Sequence, residues 1–282
     1  MALLDSPAMP DSPRLPITLI VIARNEAAVI GRCLDSVPFA AEKLVVDSGS
    51  TDGTQEIALR HGARVIHQDW LGFGPQRNFA SQLASHDWIV ALDADETLSA
   101  ELAQELTRQL PGLLQSNAAG AILRRRTFYM GAPMRWYRPM VGERLGRLYH
   151  RRRARWTDAR VHESLRFDGA TVLYKHTINH INNPTLVHRQ CKVLLYSELK
   201  ARDWLDRHKP VQMWMTPLVF VAAFFKDYLL RLAFLDGWRG YVVAQVAASY
   251  AVYKRLRYYE MQRNPESRQL AADLLRSKGL ES

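Results

Sequence analysis

The chain has 282 residues, 48% of them hydrophobic and 23% charged, which is enough to bury one large core or two modest ones and excludes wholesale disorder. Its two cysteines, Cys33 and Cys191, lie far apart with no Cys-x-x-Cys spacing, which excludes a disulfide framework and a cysteine zinc site and suits a reducing compartment. The net charge of +10 is concentrated: between Arg124 and Arg155 stand eleven arginines and one acidic residue, Glu143, an excess equal to that of the whole chain. Such a block suits phosphate groups, anionic lipid or nucleic acid, and its use of arginine alone favours bidentate phosphate contacts over mere solvated charge.

In chain order, residues 1–14 are proline-rich and lack a basic start followed by a long apolar run, so they read as a flexible leader. Strand and helix patterns then alternate. Strands are expected over 17–23, 43–47, 63–67 and 88–92, and helices over 26–37, 51–61, 76–85 and 99–110. This spacing implies βαβ units and a parallel sheet, whose ligands bind beyond the carboxyl ends of the strands. A further strand is expected over 120–126, then the arginine block with its interleaved aromatics. From about Leu186 to Gln262 the pattern is helical. The longest apolar run there, Met213 to Phe225, stops at Lys226-Asp227, short of the roughly 18 residues that a membrane span needs. Aromatic and basic residues from Trp214 to Tyr259 instead suit helices lying in a lipid headgroup layer, or packed on a core or partner.

Four strand ends carry polar motifs. Ala23-Arg24-Asn25-Glu26 follows the first strand, and free backbone N–H groups with Arg24 favour an anion there. Asp47-Ser48-Gly49-Ser50-Thr51-Asp52-Gly53-Thr54 follows the second, a tight loop in which Asp47 and Asp52 can accept from a base N–H or ribose hydroxyls, or cap the next helix. Gly72 to Asn78 delivers Arg77 and Asn78 to the same edge. Asp93-Ala94-Asp95-Glu96 ends the fourth strand; its alternating carboxylates suit Mg²⁺ or Mn²⁺ and, through the cation, a diphosphate, although Asp-x-Asp alone is also a common polar turn.

The strings IARNE, DSGSTDGT, GFGPQRN and WIVALDADE resemble the nucleotide-diphospho-sugar domain of glycosyltransferase family 2, in that family's order, over at least 15–110. The resemblance implies an α/β, GT-A fold with a mixed, mostly parallel sheet, and an inverting, metal-dependent transfer. Within the family the chain is similar to bacterial β-glucosyltransferases that extend the inner core of lipopolysaccharide, on QRNFA, LDADE and Val161-His162-Glu163. By resemblance, Asp47 faces the base, with Asp52 as the alternative because Ser48 stands where many members have a second aspartate. Ala23, Arg24 and Glu26 line the base and ribose pocket, Arg77 and Asn78 approach the ribose or diphosphate, Asp93 lies by ribose and cation, and Asp95 is the metal ligand.

Inverting transfer needs a carboxylate base. Glu163, in a short extended stretch, is the first candidate and Asp158 the second; an ion pair with a neighbouring arginine is the plainer reading of Glu163. His180 is a candidate extra cation ligand, against an ordinary structural histidine. The expected organisation is a leader (1–14), a catalytic domain (15–185, with a nucleotide-sugar half 15–110 and an acceptor half 111–185) and a helical membrane-associating extension (186–282). The expected partners are a UDP-hexose, a phosphorylated glycolipid acceptor and the cytoplasmic surface of the inner membrane. Polyprenyl phosphate is the competing acceptor. Nucleic-acid binding is not expected, because it leaves the four strand-end motifs without a role.

Overall fold

A computed structural model describes residues 14–158, 164–182 and 185–277. Of these, those up to Arg126 together with Gly142–Ile181 form one compact unit, and Thr127–Val141 with those from Asn182 onward form a second.

The first unit opens with β1 (Leu15–Ala23), α1 (Ile30–Asp35), β2 (Ala40–Asp47), α2 (Thr54–Arg60), β3 (Arg64–His67), α3 (Phe73–Leu83), β4 (Trp88–Asp93), β5 (Glu96–Leu98) and α4 (Ala100–Leu114). There follow in chain order β6 (Gly120–Tyr129), the short β7 (Ala132–Pro133), β8 (Glu143–His150), β9 (Ala154–Trp156), β10 (Leu165–Phe167) and β11 (Thr171–Asn182), of which β7 and the end of β6 belong to the second unit. One mixed sheet runs in the order β3-β2-β1-β4-β8-β6-β11-β5. Its parallel part is β3-β2-β1-β4, and β8 joins β4 antiparallel, as β6 joins β8 and β5 joins β11.

The unbroken apolar runs of the central strands follow from burial on both faces. Ile17, Leu19, Val21, Val45, Val90 and Leu92 point into one core with α1 and α4, whereas Ile20, Leu44, Val46, Ile89 and Ala91 point into another with Ala80, Tyr149 and Trp156. The alternation within each strand therefore sorts residues between two cores instead of between core and water.

Two expected helices are shorter than the pattern implied. The expected helix from Glu26 begins at Ile30, because Asn25 adopts φ 55° and the amides of Asn25, Glu26 and Ala27 donate to Ser50 Oγ, Thr54 Oγ1 and Asp52 Oδ2 at 2.9, 2.8 and 3.0 Å. The helix expected from Thr51 begins at Thr54, after Gly53 at φ 90°. Conversely α3 starts three residues before Gln76, with Pro75 in its first turn where no intrahelical N–H is needed.

The second unit contains α5 (Leu186–Asp206), α6 (Thr216–Phe225), α7 (Gly237–Arg263) and α8 (Glu266–Ser277). α5 and α7 meet through Ala201, Trp204, Tyr258 and Met261. Residues 127–141 belong to this unit and not to the acceptor half expected for 111–185. Asp236 accepts the amides of Arg135, Trp136 and Tyr137 at 2.8, 3.1 and 2.8 Å, and the Tyr137 hydroxyl donates to Asp227 at 2.7 Å. Helical structure continues past the expected break at Lys226-Asp227, because Asp227 is buried and accepts from Arg231 at 2.8 Å as well as from Tyr137. The result is an 18-residue helical stretch, Met213–Leu230, of mean hydropathy 1.3, which by length and composition reaches the lower limit for crossing a membrane.

Candidate active site

The sheet register sets three motif-bearing strand ends side by side: Ala23 is paired with Asp47, and Ile22 with Asp93. At the first two ends the loops are laced to one another. Asp47 is buried and accepts from the amides of Gly49 and Ser50 at 3.0 and 2.9 Å, from Gln55 Nε2 at 2.6 Å, and from the Ser50 hydroxyl. Burial alone would raise its carboxyl; these hydrogen bonds outweigh it and hold the group below the usual carboxylate range. Asp52 accepts from Ala27 N at 3.0 Å and from Thr54 N and Oγ1 at 3.1 and 2.5 Å. Both carboxylates, expected to face a base, therefore brace their own loop. Arg24 stands exposed at the rim, Ala23 is buried in the strand end, and Glu26 is half-buried below the loop.

The third end carries a buried charge network. Asp93 accepts from Arg77 Nη2 through Oδ1 at 2.5 Å and from Arg147 Nη2 through Oδ2 at 2.6 Å. Arg147 also donates to Glu96 Oε1 at 2.8 Å, and Glu96 Oε2 accepts the Asp93 amide at 3.1 Å. Arg125 lies 3.5 Å from Glu96 and pairs with Glu143. Three arginines thus face three carboxylates, which is how buried charge is tolerated. The two strand-end carboxyls are driven apart. Burial would raise Asp93, but Arg147 and Arg77 overcome it and hold it far below the usual range. Burial raises Glu96 despite Arg147, and the Asp93 charge adds to the rise.

Arg77 also lies over the Trp156 ring, 4.6 Å from its centroid, and Asn78 clasps the Trp156 backbone, donating to its carbonyl at 2.9 Å and accepting its amide at 3.1 Å. Arg77 is only 3% exposed. These two residues, expected at the ribose or diphosphate, hold Asp93 and β9 in place. Arg147 belongs to this site although no sequence motif marks it. It sits beside buried Leu148 and Tyr149, but β8 also carries Glu143, Arg144 and His150, so no local signal separates Arg147 from the surface arginines of the block. The arginine block is accordingly not one surface: Arg147 is buried, and Arg151 pairs with Asp87 at 2.8 Å.

Asp95 is left outside this network. Its Oδ2 lies 3.1 Å from His180 Nε2, and its backbone carbonyl accepts Ile181 N at 3.1 Å, so β11 holds the histidine to the acidic turn. Two ligand atoms at adjacent corners of an octahedron around a cation with bonds of 2.0–2.1 Å stand about 3 Å apart, so this separation fits joint coordination. Among the described residues no three His, Cys, Asp or Glu side chains converge on one point, so Asp95 and His180 would supply a minority of ligands and the diphosphate and water the rest. A histidine in the set suits Mn²⁺ better than Mg²⁺.

Glu163, the first candidate base, lies outside the described residues. Asp158 is exposed just beyond β9, in a strap whose Thr157 carbonyl packs so closely on Gly74 at the start of α3 that a Cβ there would come within 1.9 Å of it.

The model of glycosyl transferase family 2 matches residues 18–169, a span that takes in all of these strand ends. The lipopolysaccharide core biosynthesis glycosyltransferase LpsC of Rhizobium meliloti is 31% identical over 271 residues, covering 88% of this chain and 93% of that protein. A protein of Rickettsia felis described as an uncharacterized glycosyltransferase is 30% identical, over 85% of this chain and 88% of its own. Among solved structures, the mannosyltransferase PcManGT of Pyrobaculum calidifontis, in complex with GDP-Man and Mn²⁺, is 15% identical with a TM-score of 0.46, over 90% of this chain and 91% of that one.

Proposed function

The chain belongs to glycosyltransferase family 2, and on that premise we propose that it is an inverting, metal-dependent hexosyltransferase that moves glucose from UDP-glucose to the inner core of lipopolysaccharide. The observation that carries the acceptor is the likeness to LpsC along nearly the full length of both chains. In this reading Asp95 and His180 hold Mn²⁺ or Mg²⁺, which when bound supplies positive charge against the departing diphosphate. Arg24 at the rim adds a cation, and Asp93, held by Arg77 and Arg147, keeps part of its carboxylate exposed for the ribose. Asp47 and Asp52 shape the base-binding loop through their hydrogen bonds instead of reading the base directly.

The acceptor hydroxyl gives its proton to a carboxylate, Glu163 or failing that Asp158, and its oxygen attacks the anomeric carbon from the face opposite the diphosphate. The new bond forms as the bond from the anomeric carbon to the diphosphate oxygen breaks, UDP departs, and the configuration inverts. A peripheral position on the cytoplasmic face of the inner membrane is supported by the exposed Trp214, Leu218, Phe225, Leu230 and Trp238. The lipopolysaccharide of cells lacking the protein tests this reading: its inner core should lack one glucose. An unchanged lipopolysaccharide with a missing glucosyl polyprenyl phosphate would overturn it in favour of the competing acceptor.

A further inference from the structure

The second unit holds a groove lined by residues to which the proposed transfer assigns no role. It is about 580 Å³ and is lined by Lys200, Asp203, Trp204, Arg207, Lys209 and Lys254. Trp204 is its floor. Lys209 Nζ lies 4.3 Å and Lys254 Nζ 5.3 Å from the centre of the Trp204 ring, and Lys254 also leans on Tyr250 at 4.6 Å. The one carboxylate present, Asp203, is already taken by Lys200 at 2.8 Å and Arg207 at 2.6 Å. Neither Lys209 nor Lys254 has a carboxylate within 4 Å among the described residues. Four cations thus gather around one anion and an aromatic face. Burial and the neighbouring Lys200, Lys209, Lys226 and Arg255 all disfavour the charged form of Lys254. An arrangement of this kind is stabilised by a multivalent anion with several acceptor oxygens, which can take donors from more than one of these side chains.

Lys209 and Pro210 at the rim lead within a few residues into the apolar helical stretch Met213–Leu230. Arg255, one residue beyond Lys254 on α7, donates to Gln212 O at 2.7 Å and so ties the groove's wall to the start of that stretch. Along it Trp214 and Leu230 are each 71% exposed, with Leu218 and Phe225 beside them. A cationic groove next to an exposed aromatic and aliphatic helix matches a phosphate that is itself attached to an acyl chain.

We propose that the Lys200–Arg207–Lys209–Lys254 groove over Trp204 is a binding site for the phosphate headgroup of an anionic lipid, with the adjoining helix lying among its acyl chains. Its assignment does not rest on the choice of donor or acceptor.

The test uses the full chain and vesicles of phosphatidylcholine alone or of equal parts phosphatidylcholine and phosphatidylglycerol, at fixed ionic strength. Arg207→Gln/Lys209→Gln alters only exposed positions, and Lys254→Gln probes the half-buried one. A control, Arg60→Gln/Arg108→Gln, removes the same charge from exposed positions elsewhere. The wild type should partition preferentially to the anionic vesicles, and the double variant should lose about 10-fold or more of that preference. The control should retain most of it, and Lys254→Gln should weaken it without changing binding to phosphatidylcholine. Equal loss in the control would overturn the proposal by reducing it to net charge. An unchanged preference in both groove variants would overturn it as well. So would inorganic phosphate raising the thermal midpoint of the wild type but not of the groove variants, with no preference for anionic vesicles, since the site would then serve a free phosphate.

Discussion

Arg147 donates from one nitrogen to both Asp93, at 2.6 Å, and Glu96, at 2.8 Å, so a single buried cation fixes the two carboxylates that flank Asp95. The aspartate proposed to meet the cation is the one this arginine leaves alone. Arg147→Met should therefore destabilise the fold by about 3–5 kcal/mol, because buried Glu96 is left with only Arg125 at 3.5 Å and half-buried Asp93 with only Arg77. Urea denaturation measures this, and a loss below about 1 kcal/mol would show that the network is dispensable.

Asp95 and His180 act together in the proposed cation site, but not equally. Asp95→Ala should reduce sugar transfer by more than about 100-fold at any metal concentration while leaving the denaturation midpoint near that of the wild type. His180→Ala should retain transfer at saturating Mn²⁺ but need about 10-fold more of it for half-maximal rate. Metal titrations of activity separate the two. Identical Mn²⁺ curves for wild type and His180→Ala would return this histidine to a structural role.

Gly74 is required by its neighbour more than by its own backbone, since a Cβ would stand 1.9 Å from the Thr157 carbonyl. Gly74→Ala should displace Thr157 and Asp158, lowering transfer while costing about 1–3 kcal/mol of stability. Comparing the rate constant of transfer with the affinity for UDP resolves the effect: transfer should fall and UDP binding persist.

Glu42 predicts an acid-sensitive part of the fold far from this chemistry. It accepts from Thr18 Oγ1 and Ser85 N, each at 2.6 Å, and from Arg64 at 2.7 Å. Burial would raise its carboxyl, yet these donors bring it from 4.5 down to about 2. A carboxyl lowered by folding adds stability above its unfolded value, and that stability is lost as pH falls from 4.5 toward 2. The upper bound is about 3 kcal/mol, reduced by solvent screening. In Glu42→Gln the fall in stability across this window should be shallower than in the wild type, as read from denaturation at stepped pH.

Much of the catalytic fold was legible because the signals were local. The apolar runs of β1, β2 and β4 and the polar strings after them lie in sequence order, and the family model spans the same residues. Boundaries failed where two distant loops exchange hydrogen bonds: Asn25, Glu26 and Ala27 are drawn out of a helix by Ser50, Thr54 and Asp52, and nothing local to residues 26–29 announces it. The roles of Arg77, Asn78 and Arg147 were hidden for a similar reason. Whether an arginine faces a ligand or a buried carboxylate depends on which strands become neighbours, and β8 reaches β4 only after an excursion of some fifty residues. The assignment of residues 127–141 to the helical unit depends on Asp236, about a hundred positions away.

Glucosyl transfer to a lipopolysaccharide core is measured by incubating the purified protein with radiolabelled UDP-glucose, Mn²⁺ and lipopolysaccharide from cells that lack it. Label should enter the inner core, β-linked from an α-linked donor, and be lost on chelation and in Asp95→Ala. Label that enters polyprenyl phosphate instead, or incorporation that persists undiminished in both of those controls, would contradict this reading.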